Sequence, residues 1–358
     1  MAALIVLTAA SSLGQSATPE PFTKQAMLRD IASKILAPGW QEVAGKCREL
    51  TNSIARLIEK PDARSLEEAR RVWLQTSKAV SRLRSFQAGP ITERDFVYTF
   101  YYWQTLPYRM QDVLNSPKPI DSAHLEELGA PTKGLFAVEY LLFEIAPDQT
   151  NAAANTALVL DGLAGPRAEN YRACLSVLSG ELANKATLLA NDWNAPGATG
   201  ASQKFASSGQ DSVNLLVNQM AACIEDASER HLHFVLVLPN PISRQLYRIE
   251  RSRSGSSLDG VLASLEGAEK LFSGNAGFGL KDAIKQINPA LERRLAEQFT
   301  SAIAATRAIS MPLEEAAVKD RAAIEAAYEK ARALEITLKV DVVSALGVTL
   351  TFSSNDGD

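Results

Sequence analysis

The sequence predicts an all-α protein that contains two helical bundles in tandem. Every long apolar pattern repeats with a period near 3.6 residues, and no set of segments alternates with the period of two expected of half-buried strands. Hydrophobic residues make up 46% of the chain and aromatic residues 7%. With abundant Ala and Leu, this composition is typical of a helical globular protein. A chain of 358 residues is long enough for two domains of ordinary size.

The chain is predicted to divide into four parts. Residues 1–20 form a signal-like segment, residues 21–190 the N-terminal bundle, residues 191–210 a linker and residues 211–358 the C-terminal bundle. The linker prediction rests on the stretch DWNAPGATGASQKFASSGQDS, which is rich in Gly, Ala and Ser and has little periodic signal.

The first residues, MAALIVLTAASSLGQSA, hold an apolar segment near the length of a signal-peptide core, followed by small residues. The positive residues that usually precede such a core are missing. We expect an exported, periplasmic protein whose mature chain begins between Gly14 and Pro21; a plain N-terminal helix is the alternative. Elsewhere no apolar run approaches the roughly 20 residues of a membrane span, so no integral span is expected, while membrane association stays open.

In the N-terminal bundle, the spacing of apolar residues predicts a short helix and then a longer one from Trp40 to Glu59, separated at Pro38-Gly39. Ser65 and Glu68 are predicted to form the capping box of the next helix. That helix directs inward the residues Ala69, Val72, Trp73, Thr76, Val80 and Leu83. A long helix is expected from Asn155 to Leu189.

In the C-terminal bundle, the same periodicity predicts helices at about 211–235, 242–250, 256–272, 279–308 and 314–346. The last of them presents one apolar stripe, which consists of Ile324, Tyr328, Ala331, Leu334, Leu338 and Val342.

The charge pattern argues against a nucleic-acid partner. The net charge is −4, and no basic stripe is broad enough to follow a phosphate backbone. The nearest approach to a basic patch is Arg244, Arg248, Arg251 and Arg253, which is typical of a solvated helix face or loop rather than an anion site.

The common catalytic signatures are missing from the sequence, so no catalytic residue and no metal ligand is predicted. His231 and His233 are two residues apart, which on a helix directs them to different sides and makes shared metal ligation poor. We expect the three cysteines, Cys47, Cys174 and Cys223, to be small buried hydrophobic residues; a single disulfide is the alternative.

An aromatic segment, FVYTFYYWQTLPY, runs from Phe96 to Tyr108 and holds seven of the 24 aromatic residues. Such a cluster usually packs against helices, since aromatic rings bury large areas. The functional alternative is the wall of a pocket, and for that reason Trp103 is a candidate for ligand binding.

A carboxylate stands within the apolar run KGLFAVEYLLF. On a helix that starts near Thr132, Glu139 lies on the same side as Phe136 and Phe143. Burying the carboxylate there is costly without a partner, and an Arg, a Lys, a backbone N–H group or a metal could serve. A structural ion pair is the simplest interpretation of the bare pattern.

Gly134-x-x-x-x-Glu139, within APTKGLFAVEYLLFE, resembles the G-x-H-x-x-E signature of the imelysin family. These are bacterial cell-envelope proteins first described as insulin-cleaving peptidases and often linked to iron uptake. The segments RRVWLQTSKAVSRLRSFQAGPI, RSRSGSSLDGVLASLEGAEKLF and LKVDVVSALGVTLTFSSNDGD also resemble this family, in the right order. The position of the family's His is Phe136 here, and Phe has no lone pair for a metal.

The resemblance implies two helical domains, export, and a cleft between the domains where the Glu139 helix meets the C-terminal helix. By position in the matching segments, Arg253 and Asp341 are expected near Glu139. Arg253 is the expected partner of its carboxylate. The candidates for ligand binding are therefore Gly134, Phe136, Glu139, Trp103, Arg253 and Asp341.

The function implied by the resemblance is an exported binding or accessory protein for iron or metal uptake, without peptidase activity of its own. Its partners would be iron-uptake or other envelope proteins. Iron or another divalent metal stays open as a cofactor. Two alternatives remain: a metallopeptidase of the imelysin type, which would use Glu139, and an envelope protein whose cleft binds a peptide or a partner helix.

Overall fold

The computed structural model describes residues 21–143, 152–239 and 248–350. Within these residues every regular element is a helix and no strand is present, which confirms the all-α prediction. The signal-like segment and most of the helix predicted at 242–250 lie outside the described residues. No helix in the described part of the chain is long and apolar enough to cross a membrane.

The helices up to residue 207 have the following bounds: α1 (Lys24–Ile31), α2 (Ala37–Glu59), α3 (Ala63–Arg82), α4 (Pro90–Glu93), α5 (Val97–Tyr101), α6 (Pro107–Leu114), α7 (Ser122–Glu127), α8 (Gly134–Phe143), α9 (Ala152–Ala164), α10 (Ala168–Asn194) and α11 (Ala201–Ser207). A π-helical turn, Ala32–Leu36, joins α1 to α2. Short 3₁₀ turns lie at Arg84–Phe86 and Ala130–Thr132.

The remaining helices have the following bounds: α12 (Gln210–Glu225), α13 (Phe234–Val237), α14 (Ser257–Ser273), α15 (Leu280–Ile287), α16 (Pro289–Ala308), α17 (Leu313–Lys319), α18 (Arg321–Thr337) and α19 (Val343–Leu346). A π-helical stretch, Asp226–His233, connects α12 to α13, and a second one, Leu338–Val342, connects α18 to α19.

The predicted break at Pro38-Gly39 is wrong. The helix runs on from α1 through the π-helical turn into α2, and Pro38 lies in the first turn of α2. A π turn widens the helix locally, with bonds between residues five apart, as from the Ala37 N–H to the carbonyl of Ala32. The wider turn leaves room for the proline ring, which would otherwise clash with the preceding turn.

Helix α3 begins earlier than predicted because Asp62, and not Ser65, is its N-cap. The Ser65 N–H donates to the Asp62 carboxylate at 2.9 Å, and the Asp62 N–H donates to the Ser65 hydroxyl at 3.2 Å. The box therefore joins Asp62 to Ser65. The bond from the Ser65 N–H is the main reason why the pKa of Asp62 falls to about 2.

Three predicted long helices are each divided by a local stop. The helix expected at 155–189 is interrupted at Gly165-Pro166, between α9 and α10. Asn288 and Asp320 separate the other two pairs, because each side chain accepts a bond from an N–H of the following helix and acts as an N-cap. Periodicity continues across such caps, and so the apolar pattern alone does not show them.

The predicted inward faces of α3 and α18 are confirmed. Trp73, Val80 and their apolar neighbours on α3 are buried, as are Ile324 and Leu334 on α18. All three cysteines are free and buried, as predicted, and burial raises the pKa of each thiol to about 12.

The buried apolar residues form one continuous cluster that includes both the N-terminal and the C-terminal helices. Within the segment 191–210, the ring of Phe205 on α11 is buried and packs against Phe86 at 5.2 Å and Trp193 at 6.3 Å. Helix α14 crosses α3 so closely that a Cβ on Gly267 would lie 1.9 Å from the Arg82 carbonyl oxygen. Glycine at this crossing therefore lets the two halves of the chain touch through their backbones.

The crossing at Gly267 gives a direct test of this packing. Gly267→Ala should lower the free energy of unfolding by on the order of 1–3 kcal/mol, because the added methyl group overpacks a backbone contact. The matched control is Gly180→Ala in the middle of α10, where a Cβ meets nothing within 4 Å. Alanine should be neutral or slightly stabilising there. Urea denaturation of both variants makes the comparison, and equal midpoints would contradict the proposed contact.

Candidate functional site

Helix α8 carries Glu139 and is held in place at its first residue. Gly134 has φ +75°, and a Cβ there would lie 2.2 Å from the carbonyl oxygen of Thr99. Only glycine adopts this conformation easily and permits the contact with α5. From the other side, the Trp73 indole N–H donates to the Leu135 carbonyl at 2.9 Å. These contacts fix the start of α8 inside the protein.

Glu139 is buried, with 1% of its surface exposed. Its Oε1 atom accepts hydrogen bonds from the Ser254 N–H at 3.0 Å and from the Ser254 hydroxyl at 2.7 Å. Burial raises the pKa of Glu139, while the charge of Arg253, the bonds from Ser254 and the charge of Arg251 act in the opposite direction. Residues 251–254, which precede α14, thus supply the hydrogen bonds and the positive charges around the Glu139 carboxylate.

Arg253 connects the surroundings of Glu139 to the aromatic segment. Its guanidinium donates to the carbonyl of Thr105 at 3.1 Å and lies 5.5 Å from the centre of the Tyr140 ring. Asp341 pairs instead with Arg294, and 43% of its side chain is exposed. Gly134, Phe136 and Glu139 therefore lie on α8, and Arg253 lies against the Tyr140 ring of the same helix. Asp341 instead lies in an ion pair on the surface.

A second carboxylate, that of Glu314, contacts the same stretch of chain three residues further on, at Ser257. The Ser257 hydroxyl donates to Glu314 at 2.6 Å and also accepts the Leu313 N–H at 3.0 Å. Burial raises the pKa of Glu314, and the charge of Glu139 contributes in the same direction. Residues 254–257 thus place one serine against each of two carboxylates that repel one another.

Phe136, at the position of the family's His, lies in the core with 1% exposure. Its ring centre is 6.4 Å from that of Trp73 and 6.0 Å from the Arg251 guanidinium carbon. Around Glu139 the donor set consists of a hydroxyl, an N–H group and two guanidinium charges, which suit an anion and repel a cation. In the described part of the chain no three His, Cys, Asp or Glu side chains are grouped as metal ligands. These residues do not fit a metal ion.

A buried network of charges lies next to this site and was not predicted. The Arg84 guanidinium donates to both oxygens of Glu250, at 2.7 and 2.8 Å, and Arg251 donates to Glu250 at 3.3 Å. His231 approaches the same carboxylate to 3.6 Å. Burial alone would raise the pKa of Glu250, but the positive charges around it, that of Arg84 first and that of Arg251 as well, hold it below its ordinary value.

The prediction that Arg251 belongs to a solvated face or loop is wrong, since only 2% of its surface is exposed. Its guanidinium donates to the Ser77 carbonyl at 2.8 Å and to the Ser77 hydroxyl at 3.1 Å, and it also bonds the Ser81 hydroxyl. These serines lie one turn apart on the buried face of α3. Two small polar residues within an apolar stripe are the signal in the sequence that could have indicated a buried partner. Arg244 lies outside the described residues.

An open cleft of about 510 Å³ lies beside this network. One of its walls is aromatic and comprises Tyr98, Tyr101, Tyr102 and Trp103 from the aromatic segment, together with Phe234. We call it the aromatic cleft. Trp103, a candidate from the sequence, thus lines a cavity, as the functional alternative for this segment predicted.

Another part of the lining is polar, and we call it the polar wall. It includes Asp226, Glu229, Arg230 and His231 from the π-helical stretch that follows α12, with Arg84 and Arg248 beside them. The Arg248 guanidinium lies 5.0 Å from the centre of the Phe234 ring. Because its walls come from both the N-terminal and the C-terminal helices, the cleft lies between the two halves of the chain.

Fold and site together define an all-helical protein with a buried carboxylate helix and an open cleft between its halves. The family model for imelysin matches residues 36–338. The chain therefore belongs to the imelysin family, as the resemblance in the sequence indicated.

Several known proteins are similar to this chain over more than nine-tenths of its length. The iron-regulated protein A of Synechococcus elongatus is 24% identical over 346 residues, which cover 94% of this chain and 90% of the relative. The crystal structure of an iron-regulated protein A precursor from Parabacteroides distasonis has a TM-score of 0.75 at 17% identity, and the match covers 91% of this chain and 96% of that one. An imelysin-like protein from Psychrobacter arcticum has a TM-score of 0.69 at 15% identity, with 92% and 97% covered. The two crystal structures confirm the fold.

The raised pKa of Glu139 predicts a specific dependence of stability on pH. Its pKa in the folded state lies above the ordinary value of 4.5, so protonation stabilises the fold below 4.5 and this contribution is lost as pH rises through the folded pKa. Relative to Glu139→Gln, the wild-type protein should therefore gain free energy of unfolding as pH falls from 8 toward 5. The slope for one proton is at most about 1.4 kcal/mol per pH unit.

Urea denaturation at several pH values provides the measurement. Glu325→Gln is the matched control, because Glu325 is 51% exposed and pairs with Arg321 on the surface. Groups remote from Glu139 titrate equally in wild type and variant, so their effects cancel in the difference. Glu314 is the exception, because its pKa loses the contribution from the charge of Glu139 in the variant. If the free energy of unfolding depends on pH in the same way for wild type and Glu139→Gln, burial does not raise the pKa of Glu139.

Proposed function

We propose that this protein is an exported binding or accessory protein of the cell envelope, that it serves in iron handling, and that it does not cleave peptides. The observation that carries the proposal is the burial of Glu139. Its carboxylate accepts hydrogen bonds from Ser254, and Phe136 on the same helix is also buried. The carboxylate of the family signature thus supports the packing of the two halves.

The surroundings of Glu139 argue against metal-assisted hydrolysis. A zinc hydrolase holds its metal with three protein ligands and keeps one position open for water. Here the place of the family's His is taken by a side chain without a lone pair, and the nearby charges of Arg251 and Arg253 are positive. A metal at this position would have to displace satisfied hydrogen bonds while repelled by two cations.

The aromatic cleft supports a binding function. Its volume of about 510 Å³ falls within the range of roughly 300–1,000 Å³ that is usual for small-molecule sites. It contains both rings and hydrogen-bonding groups, the combination by which such sites hold and orient a ligand. A ligand there would touch both halves of the chain.

The connection to iron rests on the name of a relative, the iron-regulated protein A of Synechococcus elongatus. That name describes control by iron, which does not require that the protein itself holds iron. We extend the same control to this chain and expect its partners among iron-uptake or other proteins of the envelope.

Peptidase activity is tested on the purified protein with insulin and casein as substrates, with and without EDTA. We expect no cleavage that EDTA abolishes, and far less than one metal ion per chain by mass spectrometry, because Ser254 and the charges of Arg251 and Arg253 already satisfy the Glu139 carboxylate. Cleavage that depends on metal and disappears in Glu139→Gln would overturn the proposal.

Iron control and export are tested together by immunoblotting of cell fractions. We expect the amount of protein in the periplasmic fraction to differ at least severalfold between iron-starved and iron-replete cells, with a zinc-starved culture as the control. An amount that does not respond to iron, or a protein confined to the cytoplasm, would contradict this part of the proposal.

A further inference from the structure

We propose that the aromatic cleft binds a neutral oligosaccharide. The proposal rests on the binding function proposed above and specifies the ligand of that cleft. Three features of the cleft carry it, namely an aromatic wall, a polar wall of flat side chains, and charges that already have partners within the protein.

The aromatic wall suits the face of a sugar ring. A pyranose presents several C–H bonds on one face, and these carry a slight positive charge that is attracted to the negative face of an aromatic ring. Tyr98 lines the cleft and is 59% exposed, so its ring is accessible to a ligand. Its ring meets Tyr102 edge to face at 6.1 Å. Together with Trp103, these rings provide a surface on which a sugar can stack.

The polar wall suits the hydroxyl groups of a sugar. Gln104, Asp226, Glu229 and Arg230 line the cleft, and each ends in a flat group with at least two hydrogen-bonding atoms. Such a group can bind two neighbouring hydroxyls at once, as a guanidinium binds both oxygens of a carboxylate.

The same lining argues against a lipid or an apolar peptide. Among the lining residues in the part of the chain that the structure describes, Val97 is the only aliphatic one. Lipid chains and apolar peptide side chains are held mainly by the burial of aliphatic surface, which this cleft does not offer.

The charges at the cleft favour a ligand without net charge. Asp226 pairs with Arg230 at 3.2 Å, Arg84 with Glu250 at 2.7 Å, and Glu229 with Arg332 at 3.4 Å. Arg248, the remaining charged residue of the described lining besides His231, lies over the ring of Phe234. Burial also lowers the pKa of His231, which favours its neutral form. A charged ligand would have to break these pairs, whereas hydroxyl groups can hydrogen-bond to them as they stand.

The test uses calorimetric titration of the whole protein with chitotriose, maltotriose and cellotriose, three neutral oligosaccharides. We expect at least one to bind at micromolar to millimolar concentration and to change the tryptophan fluorescence. Tyr98→Ala should weaken that binding about tenfold, because it removes a ring on which the sugar would stack. Tyr108→Ala is the matched control, since Tyr108 is also 59% exposed but does not line the cleft. Trp103→Phe should retain more affinity than Trp103→Ala.

Two outcomes would overturn the inference. One is that no oligosaccharide binds, even if a short peptide such as an acetylated Phe-Ala-Pro amide does. The other is that an oligosaccharide binds equally well to wild type and Tyr98→Ala. Either result would leave the absence of peptide cleavage untouched, so failure of this inference is distinguishable from failure of the proposed function. Tyr98 is a surface residue, and its substitution should not prevent folding.

Discussion

The buried ion pair between Arg84 and Glu250, in which Nη2 of Arg84 donates to both carboxylate oxygens, is the interaction on which the arrangement of the two halves depends. Arg84 follows α3, and Glu250 lies in the segment before α14. Both side chains are buried, at 7% and 5% exposure. Removing one partner of a buried pair leaves an uncompensated charge, at a cost of several kcal/mol. Arg251 extends the network to Ser77 on α3. Segment 248–256 is therefore fixed against the N-terminal helices.

That fixed segment explains the state of Glu139. Once Glu250 and Arg251 are in place, Ser254 reaches the Glu139 carboxylate with both its N–H and its hydroxyl. Phe136 fills the space beside Arg251 with an aromatic ring. A metal-binding His has no role in this arrangement, because hydrogen bonds and positive charges already satisfy the carboxylate. Glu139 thus forms part of the contact between α8 and the segment that precedes α14.

The same network also shapes the aromatic cleft. Arg84 and His231 line its polar wall, and both also contact the buried Glu250 carboxylate. The cleft can therefore expose polar groups without leaving a buried charge unpaired. Its aromatic wall comes from the segment that precedes α6, and Arg253 ties that segment to the surroundings of Glu139 through the Thr105 carbonyl. Packing at the carboxylate helix and the shape of the cleft are thus physically coupled.

Local patterns in the sequence determined the helices and their buried faces, because apolar periodicity reports directly which side of a helix leaves water. The motif around Glu139 also indicated the family and a carboxylate in need of a partner. Helix ends at Asn288 and Asp320 were missed, since the apolar stripe continues across a cap. The burial of Arg251 depends on Ser77 and Ser81, more than 160 residues away along the chain. Only the tertiary structure could decide this, because the cost of burying a charge is set by the partners that folding brings to it.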